Sequence, residues 1–329
     1  MVPIPYLSNV IEVQNLSKSF DAFTAVDDAS FSVPEGETLV LLGTSGSGKT
    51  TTLKMLNRLI EPDQGTIRIN GQEVKSQPPE QLRRQVGYVI QHIGLFPHYT
   101  VAQNIAIVPQ LLGWSAEQIQ ARTDELMALL KLPDELEARK PEELSGGQQQ
   151  RVGLARALAA DPPVILLDEP FGALDPITRS QIVNEFKELE ALKYKTKVMV
   201  THDVHEAVSM GHQIALMDQG RIQQLGAPQD LVFRPQNDFV RRFFAGQLFR
   251  LELEVATLGD LWPFLNGVKG GELQALRFES TATLWQVMQK ASAATGSDPL
   301  IAIAGKDWRG DQSQLMVAFQ RLKNKWSRS

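Results

Sequence analysis

Hydrophobic and polar positions follow two periods along this chain. Residues 10–40 alternate, with Ile11 and Val13 followed by Ala29, Phe31 and Val33, which predicts two half-buried strands. Pro34-Glu35-Gly36-Glu37 marks a turn, and the alternation then gives way to an unbroken run from Thr38 to Leu42. Such a run predicts a strand buried on both faces, and a helix over Thr51–Leu56 follows it. Thr66–Val74 predicts a hairpin around Asn70-Gly71. A helix runs through Ile105, and Ser115-Ala116-Glu117-Gln118 opens the next with a capping box, its apolar face at Ile119, Leu126, Leu129 and Leu130. A helix over Gln149–Ala160 precedes a buried strand, Val164–Leu167, and a second buried strand covers Lys197–Thr201. Ile214–Met217 and Arg221–Leu225 pair around Asp218-Gln219-Gly220, and Phe239–Phe244 closes this part with a helix. Beyond it the pattern predicts a strand through Phe249, Leu251, Leu253 and Val255, and a helix over Leu258–Leu265. A strand near Leu273–Phe278, a helix Thr283–Ala294, a strand Leu300–Ala304 and a helix Gln314–Lys325 complete it. Buried strands alternating with helices predict an α/β fold with parallel strands.

Candidate chemistry gathers where the buried strands end. The first empties into Gly43-Thr44-Ser45-Gly46-Ser47-Gly48-Lys49-Thr50, followed by Thr51. This is the Gly-x-x-x-x-Gly-Lys-Thr pattern, in which backbone N–H groups and a helix N-terminus cradle an oligophosphate. Lys49 then reaches the β- and γ-phosphates and the Thr50 hydroxyl ligates Mg²⁺. Leu144 and Ser145-Gly146-Gly147-Gln148 open a later helix and present a second set of N–H groups suited to an anion. Val164–Leu167 ends in Asp168-Glu169, at the strand end where open α/β sheets place their ligands. Asp168 suits Mg²⁺, and Glu169, one residue further out, suits polarising an attacking water. His202 ends the parallel strand beside it, within reach of a terminal phosphate. Phe20 and Phe23 flank a turn where an aromatic either stacks on adenine or joins the core.

The chain has 329 residues, enough for roughly two domains. It has no cysteine, which excludes disulfides and thiol chemistry. Its N-terminus lacks the basic segment and apolar core of a signal peptide, and no apolar run approaches a membrane span. The net charge is −5 without a Lys/Arg block, which disfavours nucleic acid as a partner. Residues 85–116 contain no Asp, Glu, Lys or Arg. Burial accounts for that; so does a surface covered by a partner.

Together these motifs resemble the ATP-binding subunit of ABC transporters over residues 8–246: Gly43–Thr50, Gln91, Leu144–Gln148, Val164–Glu169, Ala173-Leu174-Asp175 and His202, in the family's order and spacing. The resemblance implies a RecA-like P-loop NTPase core with an antiparallel β subdomain and a helical subdomain inserted at about 92–160. It implies that Phe20 stacks on adenine, that Gln91 touches Mg²⁺ and senses a transmembrane permease subunit, and that Glu169 is the general base. His202 is implied as the switch histidine, and Ser145–Gln148 and Asp175 as groups that act across a homodimer on ATP held by the other copy. Asn57–Pro62, Ile90–His98, Val108–Trp114 and Phe171–Arg179 look like the osmoprotectant branch, whose importers carry glycine betaine, choline and carnitine and receive cargo from a solute-binding protein. Such a subunit works on the cytoplasmic face of the inner membrane. A soluble ABC-type mechanical ATPase is the rival class, but it needs a long coiled coil or a second cassette, and neither is in this sequence. The same ATPase serving an amino acid or sulfonate is the other alternative. Residues 248–329 form a small C-terminal α/β accessory domain. From residue 273 it is similar to part of a CBS module, which leaves a degenerate CBS-like module or another small α/β fold.

Overall fold

The computed structural model describes residues 9–91, 94–172, 174–189, 192, 194–265, 275–294 and 299–326. His92, Ile93 and Ala173, named above within motifs, lie outside the described residues. The chain divides into two compact units, Met1–Leu225 and Gly226–Ser329.

In the first unit the strands are β1 (Asn9–Phe20), β2 (Phe23–Pro34), β3 (Thr38–Gly43), β4 (Gln64–Ile69), β5 (Gln72–Glu73), β6 (Val86–Val89), β7 (Val164–Asp168), β8 (Thr196–Thr201), β9 (Gln213–Asp218) and β10 (Arg221–Gly226). They form two sheets, one ordered β2-β1-β4-β5 and one ordered β10-β9-β3-β8-β7-β6. In the first sheet β1 runs antiparallel to both β2 and β4, with Val13 opposite Phe31 and Ile67. The Asn70-Gly71 turn has both residues at positive φ, 51° and 74°, the geometry a two-residue hairpin needs. In the second sheet β9, β3, β8, β7 and β6 are parallel. Every residue of β3, β7 and β8 is buried, as the continuous apolar runs require. Because these strands are parallel and in register, Leu42 lies opposite Thr201 and Asp168 opposite Val200. Their carboxyl ends therefore open side by side.

The helices of this unit are α1 (Lys49–Leu56), α2 (Pro79–Arg84), α3 (Val101–Leu111), α4 (Ala116–Leu129), α5 (Gly146–Leu158), α6 (Pro176–Glu188) and α7 (Val204–Met210). Helices α3, α4 and α5 pack on one another through Ile105, Leu126, Val152 and their buried neighbours. Both α3 and α4 begin with full capping boxes, Thr100/Gln103 and Ser115/Gln118. One apolar core, including Ile11, Leu41, Leu53, Leu166 and Val200, is shared by both sheets and α1.

The second unit contains α8 (Pro228–Phe233), α9 (Asp238–Ala245), α10 (Leu248–Val255), α11 (Leu258–Leu261), β11 (Leu276–Phe278), α12 (Leu284–Ala293), β12 (Ile301–Ile303), β13 (Arg309–Gly310) and α13 (Gln312–Trp326). From residue 276 the order is β-α-β-β-α, with β12 parallel to β11 and antiparallel to β13. Two sequence expectations fail here. Leu248–Val255, expected as a strand, is helix α10, and the helix expected over 258–265 stops at Leu261 before a 3-10 turn. Apolar spacing at Leu248, Leu251 and Val255 also fits a helical face, and tertiary contact selects it. Glu252 of α10 is buried and paired with Lys323 of α13 at 2.7 Å, while Leu284 donates its N–H to Ala256 O. Helices α8 and α9 belong to this compact unit, whereas the sequence boundary was expected after residue 246.

Candidate active site

The site starts with how β3 turns into α1. Gly43 ends the strand at φ 153°, and a Cβ there would stand 2.2 Å from the Met217 carbonyl oxygen. Gly48 caps α1 in the left-handed region at φ 100°, where a Cβ would meet Ala25 O of β2 at 2.3 Å. No side chain caps this helix, so its first N–H groups face the loop interior. Lys49 folds back over the loop and donates from Nζ to Gly43 O at 2.9 Å, Thr44 O at 2.7 Å and Ser47 Oγ at 3.3 Å. Burial pulls its amine below the ordinary lysine range, and the Glu169 and Asp168 carboxylates oppose that in part.

In the first turn of α1, Thr50 Oγ1 donates to Asp168 Oδ1 at 3.0 Å, which joins the loop to the end of β7. The Tyr88 hydroxyl donates to the other oxygen, Oδ2, at 3.4 Å. Asp168 is buried, and desolvation holds its carboxyl above the usual range despite these two donors. Burial and the neighbouring Asp168 push the Tyr88 phenol up as well.

Glu169 leaves the strand with φ 44°, a left-handed conformation unusual for glutamate. Its N–H still bonds Val200 O of β8 at 3.0 Å, so the sheet over-determines the strained turn. That turn carries the carboxylate beyond the strand. There Oε2 accepts from Gln91 Nε2 at 3.0 Å and lies 3.4 Å from His202 Nδ1. Lys49, Thr50, Gln91, Asp168, Glu169 and His202 thus converge where the four parallel strands β3, β6, β7 and β8 end.

The other expected site residues stand apart from this cluster. Phe20 is 44% exposed at the β1–β2 tip, with the Lys18 amine 5.4 Å from its ring centroid; its neighbour Phe23 is more exposed still. Ser145 caps α5 and forms a closed box with Gln148, each side chain accepting from the other's backbone N–H at 3.3 and 2.9 Å. Gly147 follows on the first turn, and Gly146 borders Leu174, next to the exposed Asp175. Among the described residues no hydrogen bond links Ser145–Gln148 to Gly43–Thr50. The sequence reading missed Tyr88. The available signal was a phenol inside an otherwise apolar strand, three residues before Gln91.

The oxygens around Asp168 are its own carboxylate and the Thr50 and Tyr88 hydroxyls. That fits a hard cation such as Mg²⁺, which keeps waters and completes its shell with substrate phosphates. The loop, the helix start and the buried amine suit a nucleoside triphosphate. A strand, a Gly-rich loop and a helix on a parallel sheet, with carboxylates two strands away, define a P-loop nucleotide-binding ATPase.

The ABC transporter family profile matches residues 26–172. The chain is 55% identical over 249 residues to the glycine betaine uptake system ATP-binding protein YehX of Escherichia coli, covering 76% of this chain and 80% of that protein. It is 47% identical over 262 residues to the osmoprotectant import ATP-binding protein OsmV of Salmonella typhimurium, covering 77% of this chain and 68% of that one. Among solved structures it is similar to a dimeric bacterial ABC transporter cassette at 33% identity and a TM-score of 0.60, over 66% of this chain and 98% of that one. The chain belongs to the ATP-binding subunits of ABC transporters, and its fold is the ABC ATPase cassette followed by a further unit.

Proposed function

We propose that this chain hydrolyses ATP, with Mg²⁺, to energise an importer for quaternary-amine osmoprotectants such as glycine betaine, choline or carnitine. It acts as a homodimer on the cytoplasmic face of the inner membrane, bound to permease subunits and served indirectly by a solute-binding protein. The names of its relatives support the cargo. Among the described residues no helix is long and apolar enough to cross a membrane; in this reading the permease subunits form the transport path. A groove lined by Arg83, Tyr88, Phe96, Val108 and Arg156 among others supports permease docking on the face that includes β6.

In this reading Gly43, Thr44, Ser45, Gly46, Ser47 and Gly48 offer backbone N–H groups to the phosphates, and Lys49 exchanges its loop carbonyls for phosphate oxygens. Thr51 continues the helix start behind them, and Phe20 stacks on the base. Thr50, Asp168 and Gln91 hold Mg²⁺, which when bound neutralises charge on the phosphates. Glu169 accepts the proton of the attacking water, and His202, on the same carboxylate oxygen, orients the terminal phosphate. Ser145, Gly146, Gly147, Gln148 and Asp175 act on nucleotide held by the second copy.

The observation that carries this reading is the placement of Glu169 Oε2 between Gln91 and His202, one residue beyond the Thr50–Asp168 pair. Glu169→Gln should bind ATP normally and hydrolyse it at least about 100-fold more slowly, the range of a lost general base. Wild-type turnover in that variant would remove Glu169 from the role. Uptake of labelled betaine, choline, carnitine, an amino acid and a sulfonate by cells lacking this subunit, at low and high osmolarity, tests the cargo.

A further inference from the structure

Arg179 lies in the first turns of α6, four residues after Asp175, and the chemistry above leaves it without a task. Its backbone N–H makes the helical bond to Asp175 O at 2.8 Å, and its Nη2 donates to Leu174 O at 3.0 Å, so the side chain holds the loop expected to cross the dimer through Leu174. Its other two nitrogens face the segment after β8. Nη1 lies 3.6 Å from Asp203 Oδ2, and Nε lies 3.8 Å from Glu206 Oε1. These last two separations are ion-pair contacts too long for hydrogen bonds. Nε is buried and has no hydrogen-bond partner.

The segment it faces is itself tightly tied. Thr201 Oγ1 donates to Glu206 Oε2 at 2.5 Å and accepts from the Asp203 N–H at 3.0 Å. Asp203 Oδ1 caps α7 by accepting from the N–H groups of His205 and Glu206 at 2.8 and 3.0 Å. His202 sits between Thr201 and Asp203, so both of its chain neighbours are members of this network. Glu206 is buried, and desolvation raises its carboxyl above the ordinary range.

We infer that Arg179 is a positioning residue that couples the Leu174–Asp175 loop to the strand end carrying His202. The inference rests on the proposed roles of Asp175 and His202. A guanidinium is rigid and planar, so a displacement of the loop that moves Nη2 also moves Nε and Nη1. A shift of less than about 1 Å would turn the two long contacts into hydrogen bonds and satisfy the buried Nε, which gives the fork a loose and a tight setting. The tight setting would fix the backbone on both sides of His202 beside Glu169 when a second copy presses on the loop.

The test uses the full-length protein and compares Arg179→Ala, Arg179→Lys and the double variant Arg179→Ala/Glu206→Gln. Arg179→Ala should lower kcat by roughly 10- to 100-fold, the scale of a 1 Å misplacement near the chemistry, with KM for ATP within about threefold of wild type. Arg179→Lys keeps the charge and loses the fork, so it should recover less than half of that loss. The double variant also removes the unpaired buried carboxylate; it should unfold at the wild-type temperature and still turn over slowly. Wild-type kcat in Arg179→Ala or in the double variant would overturn the coupling role and leave Arg179 a charge partner of Glu206. Glu169→Gln, run beside them, separates the two claims. If Glu169→Gln stays active the general-base reading falls, whereas slow Glu169→Gln with a fast double variant sinks only the role of Arg179.

Discussion

At the start of α1 the capping position is Gly48 in the left-handed region, with no side chain on the helix end. At the start of α5 it is Ser145 in extended geometry, locked in a reciprocal box with Gln148. Both sequences look like anion sites, because each sets Gly and Ser before a helix N-terminus. Their structures divide the work. The first leaves its donors open and lays a buried amine, Lys49, across them. The second satisfies part of its own end and stays rigid and exposed, suited to meeting a ligand brought by another molecule. An open cradle and a pre-capped clamp are two halves of one site, and the comparison can be broken at either half.

The largest effect should come from Gly48→Ala. A Cβ would stand 2.3 Å from Ala25 O at φ 100°, so either the loop or β2 must move. ATP binding, followed by fluorescence of a labelled analogue, should disappear; retained affinity would show that the open start of α1 is dispensable. Gly146→Ala provides the contrast. Its nearest neighbour is Leu174 Cδ2 at 4.0 Å, so stability should change by no more than about 1 kcal/mol. Turnover should nevertheless fall well below wild type, because the added methyl occupies the face offered to the second copy's nucleotide. Unchanged turnover would mean that nothing docks there. Ser145→Ala ranks next. Loss of the cap should cost about 1 kcal/mol in urea denaturation and weaken ATP-driven pairing, with ATP affinity of the single chain unaltered.

Two buried lysines sharpen the same contrast on a smaller scale. Lys49 and Lys197 both donate to backbone carbonyls, Lys197 to Leu192 O at 2.6 Å and Lys195 O at 2.7 Å, yet only Lys49 has carboxylates beside it. Burial brings the Lys197 amine down to about 8. Between that value and the ordinary lysine range near 10.5 the unfolded chain holds more protons than the folded one, so stability should rise with pH across this window. The slope is at most about 1.4 kcal/mol per pH unit. Denaturation of wild type and Lys197→Met at pH 7, 8.5 and 9.5 isolates it, since other titrations cancel in the difference. Parallel curves would contradict the burial account.

The strands that build the site, and five of the side chains on it, were legible from local sequence, while Gln91 entered only through the family resemblance. A loop such as Gly43–Thr50 is dictated by backbone conformations only glycine tolerates, and β3, β7 and β8 by unbroken apolar runs. What was not legible depends on residues distant in the chain. Tyr88 and Asp168 meet because β6 and β7 pair in register, and Arg179 reaches Glu206 because α6 and the end of β8 pack together. Nothing in the spacing of those residues announces either contact. Leu248–Val255 failed for a different reason. Over eight residues its apolar positions satisfy both the strand and the helix periods, and the Glu252–Lys323 pair decides from outside the segment.

The most direct test of the two-halves account is the solution mass of Glu169→Gln, measured by light scattering with and without saturating Mg²⁺-ATP. The account predicts one chain without nucleotide, a doubled mass with it, and a return to one chain when Ser145→Ala and Gly146→Ala are added. A single-chain mass with ATP bound, at every protein concentration tested, would contradict it.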